Sequence, residues 1–148
     1  MRLSTKGRYG VRLMMEHAMN YGKKAVVLKD ISDHQSISRK YLWQLIAPLK
    51  AAGFINSNLG SHGGYCLAKP PSEINLREIV GILEGSLYPV ACVEDTSVCN
   101  RCNICATRDV WKKIGEKINE VLESVTLENI IETQKNKMEN NRTAMYNI

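Results

Sequence analysis

Ser36-Ile37-Ser38-Arg39-Lys40-Tyr41-Leu42-Trp43-Gln44-Leu45-Ile46-Ala47-Pro48-Leu49-Lys50-Ala51-Ala52-Gly53 decides the fold, together with the glycine-rich stretch up to Ala68. Ser38 is a good N-cap. Tyr41, Leu42, Leu45, Ile46 and Leu49 have the spacing of a half-buried helix running to about Ala52, before Gly53. Pro48 is a misfit in that helix, because proline removes a backbone bond and usually kinks, so a bend or a weakened final turn is expected. Next come Phe54-Ile55-Asn56-Ser57-Asn58-Leu59, the tip Gly60-Ser61-His62-Gly63-Gly64, and Tyr65-Cys66-Leu67-Ala68. Two short extended runs about a glycine-rich tip predict a β-hairpin.

Working back, residues 5–21 read as a helix capped by Ser4 or Thr5, with Tyr9, Val11, Met14, Met15, Ala18 and Met19 on its apolar face and Gly22 as its stop. Val26-Val27-Leu28 enters a second helix over about 28–35, and Ser36-Ile37-Ser38 turns into the third. Two helices, a turn, a longer helix and a hairpin predict a winged helix-turn-helix. The fold class is mainly α with a small β-hairpin wing. The third helix of such a unit can enter a DNA major groove with its N-terminal residues, here Ser38, Arg39, Lys40, Tyr41, Trp43 and Gln44. Gln suits adenine, and Arg or Lys suits guanine. The tip residues Ser61, His62 and Gly63 suit close approach to phosphate.

Charge agrees with a polyanionic partner. Residues 1–50 carry ten Lys/Arg against three Asp/Glu, a net of +7, and residues 51–148 carry ten against twelve, a net of −2. Arg2, Lys6 and Arg8 add to the basic front. No run of about 18 apolar residues is present, so no transmembrane helix is expected. The N-terminal residues lack an apolar signal core, so a cytoplasmic chain with reduced thiols is expected.

Working forward, Lys69-Pro70-Pro71 breaks the chain. Asn75-Leu76-Arg77-Glu78 resembles a capping box for a helix ended by Gly85. Four of the five cysteines then fall in fourteen residues, as Cys92-x6-Cys99-x2-Cys102-x2-Cys105. Thiolates are soft ligands that select iron–sulphur clusters, zinc or copper(I). Successive x2 gaps favour an iron–sulphur site. Structural zinc sites usually join two separated ligand pairs, whereas here one lone cysteine precedes a crowded triplet, so zinc and a bare thiol redox switch stand behind it as alternatives. Cys66 reads as a small packed residue. No nucleophile with its base and no phosphate loop is apparent, which argues against an enzyme.

After Cys105, Thr107 is a possible cap for a long helix. Val110, Trp111, Ile114, Ile118, Val121, Leu122 and Val125 form one apolar stripe on it. So small a domain has little core left to cover that stripe, so pairing with a second copy is expected, and a dimer suits a palindromic operator. The expected organisation is a winged helix-turn-helix domain over 1–86, a cysteine-rich loop over 87–106, a long C-terminal dimerisation helix over 107–131, and a polar, disordered tail over 132–148.

Met1 to Gly10, the Ile37-Ser38…Tyr41-Leu42…Gln44-Leu45 stretch and Gly60-x-x-Gly63-Gly64-Tyr65 resemble the Rrf2 family of bacterial winged-helix regulators over roughly residues 1–131. The resemblance implies DNA binding as a homodimer. One branch, the iron–sulphur-cluster regulators, implies a [2Fe–2S] cluster on Cys92, Cys99 and Cys105. In that branch a histidine three residues after the third cysteine is the fourth ligand; here Arg108 stands there, which leaves Cys102 as the local substitute. Nitric-oxide-sensing relatives take an acidic ligand from the partner's first helix, where this chain has Arg8. A second branch, the cysteine-metabolism repressors, shares Ile46-Ala47-Pro48-Leu49, Leu83-Glu84-Gly85, Tyr88-Pro89-Val90 and Thr126-Leu127-Glu128. That branch implies control by a protein partner, a cysteine-biosynthesis enzyme. Trp43 and Leu59 depart from the Glu and Arg often found at their positions.

Overall fold

A computed structural model describes residues 2–147 of the chain. Its elements run α1 (Thr5–Met19), α2 (Leu28–Gln35), α3 (Arg39–Ala51), β1 (Ile55–Asn58), β2 (Gly64–Leu67), α4 (Leu76–Glu84), α5 (Ala106–Ser124) and α6 (Leu127–Tyr146). The expected helix over 5–21 stops at Met19, with the Asn20 N–H bonded back to the His17 and Ala18 carbonyls.

Ser38 caps α3 as the sequence reading has it, accepting from the Tyr41 N–H. The expected weakness at Pro48 is absent. The final turn is sealed by a Schellman motif: Gly53, at φ +81°, donates to the Lys50 carbonyl, and Phe54 donates to the Leu49 carbonyl. Phe54 folds into the core there, beside Leu49, and so offsets the backbone bond that proline removes. The turn between α2 and α3 runs through Ser36 in the left-handed region, at φ 55° and ψ 44°.

β1 and β2 pair antiparallel, Ile55 with Leu67 and Asn58 with Gly64. The hairpin is tied to the helices by an isolated bridge, in which Val26 and Tyr65 exchange N–H to carbonyl bonds of 2.8 and 2.9 Å. Beneath lies one core from α1 to α4, β1 and α6, centred on Leu13, Met14, Ile31, Leu42, Leu45, Leu49, Ile55, Ile79 and Leu127.

The capping box of α4 forms as expected, with Asn75 and Glu78 each accepting from the other's backbone N–H. The C-terminal part corrects the sequence reading. Cys105, not Thr107, is the cap residue of α5. The expected single helix over 107–131 is two, broken at Val125 and Thr126. There the chain turns extended to bridge the strand-like entry of α4, with Leu76 N–H to the Val125 carbonyl and Leu127 N–H to the Ile74 carbonyl, both 2.9 Å. The expected disordered tail is instead helical to Tyr146. A second capping box, Thr126 with Asn129, starts α6. Leu127 anchors it at 0% exposure, and no Gly or Pro interrupts it.

One core residue titrates. His17 is 1% exposed, and neither ring nitrogen has a hydrogen-bond partner. Burial lowers its pKa from 6.5 to about 4, with the nearby Tyr65 backbone pulling weakly the other way. The folded state therefore binds fewer protons than the unfolded one between those values. Stability from this site is complete above pH 6.5 and is lost as pH falls toward 4, by up to about 3 kcal/mol. His17→Leu is expected to flatten the fall in urea midpoint between pH 7 and pH 4.5.

Candidate nucleic-acid interface and metal centre

The third helix presents its polar side outward. Ser38, Arg39, Lys40 and Gln44 are exposed, and Trp43 is 61% exposed among them. Tyr41 differs: it is half-buried, edge-on to Tyr9 with ring centroids 5.9 Å apart. At the other end of the unit Ser61 and His62 are exposed at the wing tip, Gly63 is half-buried behind them, and Leu59 is 98% exposed. Arg2, Lys6 and Arg8 lie exposed at the start of α1.

Two positioning groups escape the sequence reading. Arg12 sits 5.2 Å from the Tyr9 ring centroid and donates from Nε to Gln35 Oε1 at 2.7 Å. Gln35 in turn donates to the buried Glu16 carboxylate, which lies 3.5 Å from His34 Nδ1. This network fixes the end of α2 against α1, just before the turn into α3. Glu84, at the end of α4, accepts from the backbone N–H of Ser4 at 3.0 Å and of Gly7 at 2.9 Å, and from the Ser4 hydroxyl. An anionic group thus meets the positive end of the α1 dipole. Neither partner set is close in sequence, so no local pattern announces it.

The cysteine loop begins just beyond Glu84. All five cysteines are free thiols. Single 3-10 turns at Ala91–Val93 and Thr96–Val98 fold the loop back on itself. Cys102 lies near both Cys99 and Cys92. The Cys102 Sγ lies 3.8 Å from the Cys92 carbonyl oxygen. Its pKa is pushed up, first by desolvation and then by the neighbouring thiols of Cys99 and Cys92, while Arg108 pulls it down. Cys105 is turned away, with its Sγ 3.1 Å from the Thr107 hydroxyl. That hydroxyl, then the Arg108 backbone N–H, lowers the Cys105 pKa. The Arg108 guanidinium is committed to the backbone, donating to the Cys92 carbonyl at 2.8 Å and the Val93 carbonyl at 3.2 Å.

The donor set fits an iron–sulphur cluster in kind: four soft thiols in one short, solvent-accessible loop, beside two arginines and the positive end of α5. Among the described residues, no three His, Cys, Asp or Glu side chains already converge around a metal position. Loading therefore requires the loop to close further, with Cys105 rotating away from Thr107.

Beyond the loop, α5 packs one side on its own domain. The Tyr88 ring lies over Gly115, and Arg77 bonds Asn119 at 3.0 Å and pairs with Glu123 at 3.3 Å. The other side stays open, with Val110, Trp111, Ile114 and Val121 exposed, the last at 63%. A shallow apolar groove runs along it between Lys113 and Leu122.

The model of the Rrf2 family, described as an iron-dependent transcriptional regulator, matches residues 3–133. This chain belongs to the Rrf2 family. The Rrf2 regulator CymR of Bacillus subtilis is 39% identical over 130 residues, 88% of this chain and 89% of its own. The solved structure of CymR, the global cysteine regulator of B. subtilis, superposes with a TM-score of 0.77 at 38% identity, over 90% of this chain and 98% of that one. The Rrf2 regulator IscR of Photorhabdus laumondii is 35% identical over 135 residues, covering 91% and 82% of the two chains. The structure of IscR from T. potens has a TM-score of 0.75 at 38% identity, over 90% and 88%. As an Rrf2 protein the chain is a winged helix-turn-helix transcriptional regulator that binds DNA, and not an enzyme. No helix among the described residues is long and apolar enough to cross a membrane.

Proposed function

We propose that this protein is a homodimeric regulator of iron–sulphur or sulphur and cysteine metabolism genes, whose DNA affinity is set by an iron–sulphur cluster in the Cys92–Cys105 loop. Cys92, Cys99 and Cys105 are its ligands and Cys102 supplies the fourth; [2Fe–2S] is the type that family resemblance favours. Four free thiols in the short loop before α5, with Cys102 near Cys99 and Cys92, carry this reading. A bound cluster would supply a redox- and oxidant-sensitive centre at the joint between two rigid parts.

The chain's own residues transmit that state. The loop is covalently continuous with α4 on one side and α5 on the other. Glu84 ties the end of α4 to the start of α1, and the open face of α5 pairs with its counterpart in a second copy. Ordering the loop fixes the angle between α5 and the reading head, and so the spacing of the two α3 helices on a palindromic operator. Arg39, Lys40 and Gln44 read base edges, with Ser38 and the Tyr41 hydroxyl beside them. Arg2, Lys6, Arg8, Ser61, His62 and the Gly63 backbone hold phosphates.

The test is anaerobic purification with absorbance, iron and sulphide analysis, repeated for Cys92→Ala, Cys99→Ala, Cys102→Ala and Cys105→Ala. Bound iron and sulphide that are lost in each variant support the reading. A colourless, iron-free protein with DNA binding unaltered in all four overturns it, and zinc in place of iron assigns the thiols to a structural metal.

A second reading comes from the likeness to CymR. There, a cysteine-biosynthesis enzyme binds the regulator and the thiols form a redox pair or a zinc site. Co-purification with such an enzyme, insensitive to iron, would favour it.

A further inference from the structure

Arg108 ties the two ends of the cysteine loop together. It stands in the first turn of α5, three residues past Cys105. Its half-buried guanidinium donates twice, from Nε to the Cys92 carbonyl at 2.8 Å and from Nη2 to the Val93 carbonyl at 3.2 Å. The two acceptors are consecutive backbone carbonyls in the turn that bears the first cysteine. A planar fork makes both bonds at once, which a lysine ammonium does less well. Otherwise the stretch between Asp95 and Cys105 is held by local bonds, Ser97 with Asp95, Cys102 N–H with the Cys99 carbonyl and Ile104 N–H with the Arg101 carbonyl, and by the longer contact of the Cys102 thiol with the Cys92 carbonyl at 3.8 Å. Removing the Arg108 fork leaves the Cys92 turn without its tie to α5.

We propose that Arg108 is a positioning residue for the thiol centre: it latches the Cys92–Val93 backbone onto α5, so that the turn bearing the first cysteine is already held there before any cluster arrives. The inference rests on the proposed metal centre for its consequence, but the latch itself belongs to the apo-protein. It serves three ends. It lowers the ordering cost of loading by holding Cys92 near Cys102 in advance. It keeps a positive charge beside the thiolates, favouring the reduced, more negative state of whatever they hold. It also makes α5 sense the loop directly, because any shift of Cys92 pulls on the first turn of that helix.

Two measurements on full-length Arg108→Ala and Arg108→Lys test this. In the metal-free dimer, amide hydrogen exchange over residues 91–105 is expected to quicken in Arg108→Ala and to stay closer to wild type in Arg108→Lys, with the thermal midpoint of the whole protein unchanged. In the iron-loaded protein, Arg108→Ala is expected to hold iron about 10- to 100-fold more weakly and to show a more negative midpoint potential, with partial rescue by lysine. Unchanged loop exchange in Arg108→Ala overturns the latch. Faster exchange with unchanged iron retention and potential overturns its role toward the thiols. If wild type takes up no iron while the exchange result holds, the latch stands and the metal centre falls.

Discussion

Gly64→Ala is expected to lower the melting temperature by about 6–12 °C, corresponding to about 3 kcal/mol in a chain of this length. Two causes add. Gly64 holds φ +154°, which L side chains rarely adopt, at a cost of roughly 1–3 kcal/mol. A Cβ built there also meets the Val26 carbonyl oxygen at 2.7 Å and its carbon at 2.9 Å, both backbone atoms that cannot step aside alone. Relief means moving β2 off residue 26, which breaks the two Val26–Tyr65 bonds, each worth about 1 kcal/mol. The bridge roofs the core where His17 is buried, so the damage reaches α1. Gly60→Ala is the control: it too has a positive φ, but its Cβ meets nothing within 4 Å. A Gly64→Ala protein melting within a degree or two of wild type would contradict this reading of the wing.

Val121→Glu on α5 is expected to turn the proposed dimer into a monomer and to weaken binding to a palindromic operator by about 10²–10⁴-fold, the gain that linking two half-sites normally supplies. Val121 is 63% exposed on the isolated chain, so the charge does no harm to the fold of one copy. Buried between two α5 helices, it would put a charge against the apolar floor of Ile114, Ile118 and Leu122, with only Lys113 and Lys117 of the groove lining able to answer it. Gln44→Ala separates reading from pairing, since it should weaken DNA binding by about 1–3 kcal/mol with the dimer intact. Sedimentation and a shift assay at one salt concentration report both. A Val121→Glu protein that stays dimeric would move the interface elsewhere.

The DNA-reading unit was legible because its signals are local. Ser38, the 3.6-residue spacing of Leu42, Leu45 and Leu49, and the Gly60–Gly64 tip are each decided within a few residues. So was the Asn75–Glu78 capping box. The break at Val125–Thr126 was not, because extended backbone there depends on pairing with residues 74–76, fifty positions earlier. Both residues are β-branched, and Thr126-x-x-Asn129 is a capping pattern, but within an unbroken apolar stripe neither outweighs the helix period. The tail misled for a related reason. Low hydrophobicity after Ile131 suggested disorder, yet Glu, Lys, Gln, Met and Ala are good helix formers, and α6 is nucleated by the buried Leu127. In the loop, spacing gave the thiols but not which of them meet. Cys102 beside Cys99 and Cys92, with Cys105 given to Thr107, depends on contacts across the loop, and these have no sequence pattern of their own.

The central claim is that the state of the thiol centre sets DNA affinity. The direct measurement is operator binding by one anaerobic preparation, before and after its iron is removed, at equal dimer concentration and equal salt. The account predicts that both forms are dimers and that their dissociation constants differ by about tenfold or more, within the usual range of coupling between two sites. Equal affinities for the loaded and the stripped dimer would contradict it.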